Sequence, residues 1–271
     1  MEKFSVLLSL YNKEKSLPLE QALSSIFNQS AMPAEVILVL DGPITEELQV
    51  VVNGFQDKYP EMLRVIPLKE NVGLGVALSK GLKYCSYELI ARMDTDDISK
   101  FDRFEKQLNV FKQHPELSVV GSWVDEFTDV PEDSKTQRKL PKTNDELVVF
   151  AKKRNPLNHP SVMFKKSDIK SVGSYQPFPL FEDYYLWARL ICGGYQLFNI
   201  QESLLYFRSN PQMIVRRGGW RYAVSEIKFL RILYKLKLCG MGTFLRNVVV
   251  RFPIRVAPTK IRSYIYQKFL R

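Results

Sequence analysis

Glu35-Val36-Ile37-Leu38-Val39-Leu40-Asp41-Gly42 sets an unbroken apolar run between a glutamate and an Asp-Gly turn. A run of strand length, rich in β-branched residues and closed by turn chemistry, reads as a strand with neither face toward water. Phe4 to Leu10, Leu63 to Pro67 and Tyr87 to Met93 follow the same pattern. The intervening segments have helical spacing: Leu19, Ala22, Leu23, Ile26 and Phe27 after a cap at Ser16; Leu48, Val51, Val52 and Phe55 after Thr45; then Val76 to Leu82. Four strands alternating with helices predict an α/β fold, a mostly parallel sheet covered by helices on both faces.

Ligands of open sheets bind beyond the carboxyl ends of the strands. Tyr11-Asn12, Asp41-Gly42, Asn71-Val72-Gly73 and Asp94-Thr95-Asp96-Asp97 each follow one of the four strands, so all four polar clusters are expected along one edge. Downstream come a helix with Phe101, Phe104, Leu108 and Phe111, a strand near Ser118 to Val124, and a mobile polar loop from Asp125 to Asn144. A strand at Ser161 to Phe164, a helix starting near Glu182, and strand-like pieces at Tyr195 to Ile200 and Leu204 to Arg208 complete the expectation. There is no internal repeat.

The chain has 271 residues, 45% hydrophobic and 25% charged, which suits a single globular domain with an appendage rather than a disordered or fibrous chain. Cys85, Cys192 and Cys239 are too scattered for a disulfide scaffold and suit a reducing compartment. Phe4 to Leu10 is too short for a signal sequence, and no run approaches the roughly 18 apolar residues of a spanning helix. A cytoplasmic protein is expected. Its charge is uneven: residues 216 to 271 hold 14 Lys and Arg and a single acid, Glu226. That segment has a strong positive excess, and the body is mildly acidic.

Three carboxylates within Arg92-Met93-Asp94-Thr95-Asp96-Asp97 repel one another at the end of a buried strand unless a cation or a set of donors neutralises them. Such hard oxygen ligands suit Mg²⁺ or Mn²⁺ shared with diphosphate oxygens. A solvated turn capping the helix at Phe101 is the simpler alternative, and Asp97 as a cap fits both. Asp41-Gly42-Pro43 alone is ordinary turn chemistry. Asn71-Val72-Gly73-Leu74-Gly75 lets backbone approach a phosphate or sugar but lacks the glycine spacing of a dinucleotide fingerprint. Phe181-Glu182-Asp183-Tyr184-Tyr185-Leu186-Trp187 places two acids at a helix start, either as complements to the helix dipole or, with one as general base, as catalytic groups. His159, in Asn158-His159-Pro160, is a candidate substrate-pocket residue without a metal-ligand partner at suitable spacing.

Taken together, Ser5 to Asn12, Val36 to Gly42, Asn71 to Gly81, Ala91 to Asp97, Arg103 to Gln107, Asn158 to Pro160 and Phe181 to Leu190 resemble the family 2 glycosyltransferases. The likeness is to inverting enzymes of GT-A fold, of the bacterial O-antigen and capsule type, and it covers roughly residues 1 to 210. It implies a Rossmann-like GT-A domain over 1–215, divided into a nucleotide-binding half (1–97) and an acceptor half (98–215), with a basic helical extension over 216–271. By the same resemblance, Asp41 pairs with uracil, while Asn71 and the backbone beside Tyr11 complete the nucleotide pocket. Asp94 and Asp96 are the carboxylates of the DxD element, with Asp96 on Mn²⁺ or Mg²⁺ and Asp94 nearer the ribose or sugar. Asp183 is the base beside Glu182, and Trp187 and His159 face the acceptor. Leu40 stands where many members carry an acid and Ser79 where an asparagine is frequent, which leaves base and sugar identity open. The implied reaction moves a hexose, galactose or glucose or an N-acetylated form, from a UDP-sugar to a saccharide acceptor on a polyprenyl pyrophosphate lipid.

In the extension, Ile227, Leu230 and Tyr234 predict an apolar helix stripe, with Lys228, Arg231 and Lys235 one step round. Further basic and aromatic residues run through Arg246, Arg251, Arg255, Lys260, Arg262, Tyr264, Tyr266, Lys268 and Phe269. This pattern fits peripheral attachment to the anionic inner face of the cell membrane; a solvated cap or dimer surface is the structural alternative. Nucleic-acid binding is not expected, because the acidic body offers no continuing basic groove. Two other functional classes share these features: a nucleotidyltransferase built on the same carboxylates, and a non-catalytic scaffold.

Overall fold

A computed structural model of the chain describes residues 2–134, 136–209, 218–259 and 261–262. The first half alternates as expected: β1 (Phe4–Leu10), α1 (Ser16–Phe27), β2 (Glu35–Leu40), α2 (Glu46–Lys58), β3 (Leu63–Pro67), α3 (Leu74–Gly81) and β4 (Leu89–Arg92). Then follow β5 (Ile98–Ser99), α4 (Arg103–Gln113), β6 (Leu117–Phe127), β7 (Thr136–Arg138), α5 (Asn144–Ala151), β8 (Met163–Lys165), α6 (Lys166–Ser171), α7 (Glu182–Cys192) and β9 (Gln196–Arg208). Two helices close the described chain, α8 (Trp220–Lys235) and α9 (Met241–Val256).

One sheet carries the strands in the order β3-β2-β1-β4-β8-β6-β9-β5, with β7 on β6. β1 to β4 pair in parallel, while β8 runs antiparallel to both β4 and β6. Alternating side chains divide the apolar runs between two cores. Val6, Leu8, Val36 and Leu38 pack with Leu19, Leu23, Ile26, Leu48 and Phe104 from α1, α2 and α4. Leu7, Ile37, Val39 and Ile90 meet Ala77, Leu78, Ile169, Leu186 and Trp187 from α3, α6 and α7. Both faces are covered, which is why these strands read as unbroken apolar runs.

The structure corrects several expectations. Ser16 opens α1 rather than capping it, and Lys15 at the cap makes no side-chain bond; Thr45 does cap α2, its hydroxyl accepting from Leu48 N at 3.4 Å. Asp97 caps nothing, because α4 starts only at Arg103. The span from Asp125 to Asn144 is not simply a polar loop: Asp125 to Phe127 extend β6, and β7 pairs with them. The pieces at Tyr195 to Ile200 and Leu204 to Arg208 belong to one long strand, β9, whose register with β6 shifts around Trp123.

The C-terminal helices pack onto the body. Tyr222, Phe229, Leu230, Leu233, Leu238 and Cys239 share a third core with Ala151, Phe181, Tyr184 and Ala188. The buried stripe of α8 is therefore one step round from Ile227 and Tyr234, because Phe229 and Leu233 face the aromatic side of α7; Tyr234 is exposed. Lys228, Arg231 and Lys235 do point outward. Lys260, Tyr264, Tyr266, Lys268 and Phe269 lie outside the described residues. Glu226, the only acid of the segment, is buried and bonds both Arg251 and Arg255 at 2.7 Å, tying α8 to α9. Burial alone would raise its pKa, but the bonds and charges of Arg255 and Arg251 win and hold it below the ordinary value. Glu226→Ala deletes the carboxylate these guanidinium groups share and is expected to cost about 3 kcal/mol, read as a lower urea midpoint. An unchanged midpoint would show that packing alone holds the helices together.

Candidate active site

The parallel register brings the strand ends together: Leu10 pairs with Leu40, Leu40 with Pro67, and Leu7 with Arg92. Tyr11, Asp41, Asn71 and the Asp94–Asp97 turn consequently lie along one sheet edge, as the sequence predicts. Asp41 is buried. Its carboxylate accepts from Val72 N at 2.7 Å and Gly73 N at 3.0 Å, and its carbonyl accepts from Asn71 Nδ2 at 3.1 Å. Asp41 and Asn71 thus brace the loop leading into α3. Gly42 is required beside them: its φ is +87°, and a Cβ there would sit 2.7 Å from Asn71 N.

At the end of β4, one carboxylate oxygen from each of Asp94, Asp96 and Asp97 lies within 4.8 Å of the others. Burial, and then the charge of Asp94, push the Asp96 carboxyl up to about 6. Burial with the charges of Asp96 and Asp94 push Asp97 well above the usual range. Such a set fits a hard divalent cation, which would relieve the repulsion. The three acids differ in their partners. Asp97 accepts from Arg208 N at 2.8 Å, and Arg208 Nε donates to the Asp96 carbonyl at 2.9 Å, so the end of β9 clasps the turn. Asp94 is ion-paired with Arg92. Asp97 is therefore met by a backbone amide, and neither it nor Asp96 has a cationic side chain bonded to its carboxylate among the described residues.

Arg92 is fully buried, and its Nε and Nη1 have no hydrogen-bond partner among the described residues. Its carbonyl accepts from Arg103 Nη2 at 2.7 Å, and Gln107 Nε2 donates to the carbonyls of Val120 and Ser161, both at 2.9 Å. The Arg103 to Gln107 stretch therefore sews β4 to the segment before β8.

The acids of α7 occupy its first turn. Asp183 accepts from Tyr184 N at 2.7 Å and from Asn155 Nδ2 at 2.6 Å. Glu182 abuts α3, where a Cβ on Gly75 would lie 3.1 Å from its own Cβ. Tyr175 is buried. Burial raises its phenol, opposed by Arg92, with the charges of Asp183, Asp94 and Glu182 all felt there. The phenol oxygen sits 2.9 Å from His159 Nε2. Burial, aided by the Arg92 charge, holds His159 well below the usual range and hence neutral.

Two acceptor expectations change. Trp187 is fully buried in the core with its ring 6.1 Å from His159, because it lies on the inward stripe of α7 with Tyr184 and Leu190; it cannot face a bound saccharide directly. His159 is also buried, so any influence on a substrate passes through Tyr175. Tyr175, Asn155 and Arg208 carry no periodicity or motif that would single them out. Arg92 did have a signal, a lone cation inside an apolar strand.

Burial and then the neighbouring Asp183 raise the Glu182 carboxyl from 4.5 to about 7. The folded state therefore binds this proton more tightly than the unfolded chain, and stability is lost as pH rises from 4.5 through about 7. Glu182→Gln removes that loss. Its stability relative to the parent is expected to rise on the order of 3 kcal/mol above pH 7 and to match the parent below about pH 4. Denaturant titrations across this range check it, and an equal offset at both ends would refute it.

Comparison with known proteins is consistent with this geometry. The family model described as glycosyl transferase family 2 matches residues 5–172. The amylovoran biosynthesis glycosyltransferase of Erwinia amylovora is 39% identical, with 98% of each chain covered. The UDP-Gal:alpha-D-GlcNAc-diphosphoundecaprenol beta-1,3-galactosyltransferase of Escherichia coli is 38% identical over 99% of this chain and 97% of its own. Among solved structures, S. aureus TarS 1-349 in complex with UDP-GlcNAc superposes with a TM-score of 0.66 at 17% identity, covering 99% of this chain and 76% of that one. A Pyrobaculum calidifontis mannosyltransferase in complex with GDP-Man and Mn²⁺ gives 0.66 at 15% identity, covering 98% and 75%. Its sheet is the GT-A sheet, and this chain belongs to glycosyltransferase family 2.

Proposed function

We propose that this glycosyltransferase moves a hexose from a UDP-sugar to a lipid-linked saccharide in bacterial surface polysaccharide synthesis, with inversion at the anomeric carbon. Galactose is the first candidate and glucose the second, with their N-acetylated forms after them. The observation that carries the reading is the cluster of Asp94, Asp96 and Asp97 at the carboxyl end of β4 in the parallel half of the sheet, with one oxygen from each within 4.8 Å of the others. The galactosyl donor and diphosphoundecaprenol acceptor named for the Escherichia coli relative support the substrate classes.

In this reading Asp41, Asn71 and the backbone at Tyr11 bind the nucleotide. Each Asp41 oxygen that accepts a loop amide keeps a lone pair for a base N–H. Asp96 and Asp94 would hold Mn²⁺ or Mg²⁺. When bound, that cation supplies Lewis-acid charge for the departing diphosphate. The acceptor hydroxyl oxygen forms a bond to the anomeric carbon while the bond to the diphosphate oxygen breaks, its electron pair leaving with the diphosphate. Asp183, oriented by Asn155 and Tyr184 N, takes the hydroxyl proton on the face opposite the leaving group. Attack and departure on opposite faces invert the centre, as in inverting glycosidases, and the product is a β-glycoside from an α-linked donor.

A lipid-linked acceptor places the work at the cytoplasmic face of the membrane, and the basic C-terminal segment is the part drawn to an anionic leaflet. Among the described residues no helix is long and apolar enough to cross a membrane.

Two experiments test the reading. Purified protein with Mn²⁺ and a panel of UDP-sugars should release UDP most rapidly from UDP-galactose or UDP-glucose in the presence of a GlcNAc-diphospholipid. Asp183→Asn should lower turnover by about 10² to 10⁴-fold, with UDP affinity unchanged by calorimetry. Parent-level turnover in that variant would remove Asp183 from the role of base.

A further inference from the structure

We propose that the outer face of the α8–α9 hairpin is a composite lipid-docking surface: an apolar stripe on α9 that enters the interface of an anionic bilayer, flanked by a basic face on α8. This deepens the membrane attachment proposed above and rests on it; it keeps the α8 cations that the sequence singled out and moves the apolar contact from α8 to α9.

The apolar residues that the sequence offered for this purpose are partly spent on folding. Leu230 is buried against the body, as are Phe229 and Leu233. The apolar surface that stays open lies on α9, where Met241, Leu245, Val249 and Val256 are 50%, 53%, 70% and 42% exposed. At about 100° per residue these four, with half-buried Phe252 between them, fall within roughly 80° of arc. The adjoining side of α9, centred roughly 110° round from the stripe, holds Asn247, Phe244, Val248 and Arg251 against the body. A helix buried on one side and apolar on the other is two-faced, and an open stripe of this kind on a soluble surface marks an interaction site.

Apart from Trp220 and Tyr234, the exposed residues of α8 are cations. Arg221, Lys228, Arg231 and Lys235 also fall within roughly 80° of arc. The two surfaces meet where Trp220, 67% exposed at the start of α8, packs edge-on against Phe252 at 5.4 Å. Aromatic rings at such a boundary suit the headgroup level of a bilayer. Glu226, the only acid in the segment, is buried and paired, so it does not oppose the field of the cations.

The charge decides between occupants. A second copy of this chain would bring its four cations against these four in a symmetric contact, which is repulsive. A polyanion without lipid would satisfy the cations but leave the α9 stripe in water. An anionic leaflet satisfies both.

Co-sedimentation of the full chain with phosphatidylglycerol–phosphatidylcholine vesicles, against phosphatidylcholine alone, tests the assignment. Truncation is unsuitable because it would uncover Phe181 and Tyr184, so the surface is probed by exposed substitutions. Lys228→Ala with Arg231→Ala should weaken partitioning about fivefold per charge removed. Leu245→Glu with Val249→Glu should weaken it by about tenfold or more. UDP-sugar turnover with a short water-soluble acceptor should stay at the parent rate in both. Unchanged vesicle binding by the α9 variant overturns the proposal, as does a parent protein that ignores anionic vesicles but is a dimer that this variant dissociates. Loss of binding in the variants, in a protein that turns over no UDP-sugar, would uphold the docking surface while refuting the transferase chemistry.

Discussion

The buried guanidinium of Arg92 makes an acidic turn at the sheet edge physically possible. A cation with no exposed surface is costly unless paired, and three aspartates in four residues are costly unless neutralised. Placing Arg92 at the last position of β4 addresses both, since it binds Asp94 directly and its charge also reaches Asp96 and Asp97. The same charge helps keep His159 neutral, so that the imidazole can partner the Tyr175 hydroxyl rather than repel the guanidinium. Arg103 then fixes the Arg92 backbone from behind. Asp94 is consequently held by the protein, while Asp96 and Asp97, both raised by burial and like charge, are left with repulsion that a cation would relieve.

The second constraint is mechanical and comes from the chain's end. α7 carries Glu182 and Asp183 in its first turn, where a helix is anchored by few of its own hydrogen bonds. Phe181 at its start stacks on Phe229 with ring centroids 4.8 Å apart, and Tyr184 lies 4.7 Å from the same ring while its hydroxyl donates to the Ala151 carbonyl at 2.6 Å. α8 therefore supports the helix that presents these acids. A division at residue 215 separates two sequence compositions, but the segment beyond it shares a core with α7. Surface attachment through α9 would be transmitted to Asp183 through packed aromatic rings rather than a flexible tether.

Strand ends were readable because a buried parallel strand must be apolar throughout, so its first polar residues mark the edge where ligands bind. Asp41, Asn71 and the Asp94–Asp97 turn could be placed on one rim for that reason alone. The faces of α7 and α8 were not readable in the same way. Trp187 and Leu230 both fall on apolar stripes, but which edge of a stripe is buried depends on the neighbour it meets, here the β-sheet core for Trp187 and Phe181 with Tyr184 for Phe229. Asp97 was misread for a related reason. Its carboxylate satisfies the backbone N–H of Arg208, 111 residues away, and no local pattern reports a bond across that separation.

Topology explains how the second half of the chain comes to lie beside the strand-end acids. The parallel order β3-β2-β1-β4 would continue as an open doubly wound sheet, but β8 joins β4 antiparallel and brings the second half of the chain alongside. Connections on the two sides of such a switch leave the edge in opposite directions, which opens a crevice at that point. The Asp94–Asp97 turn leaves β4 there, and Asn158 to Ser161 enters β8 next to it, with Arg92 N bonded to the Val162 carbonyl at 2.8 Å. Tyr175, from the connection between α6 and α7, reaches His159 in that same entry segment. A single antiparallel strand thus joins the rim that carries Asp41, Asn71 and Asp94 to the half of the chain that carries α7, and Arg92 sits at that junction, its side chain on Asp94 and its N–H on the Val162 carbonyl.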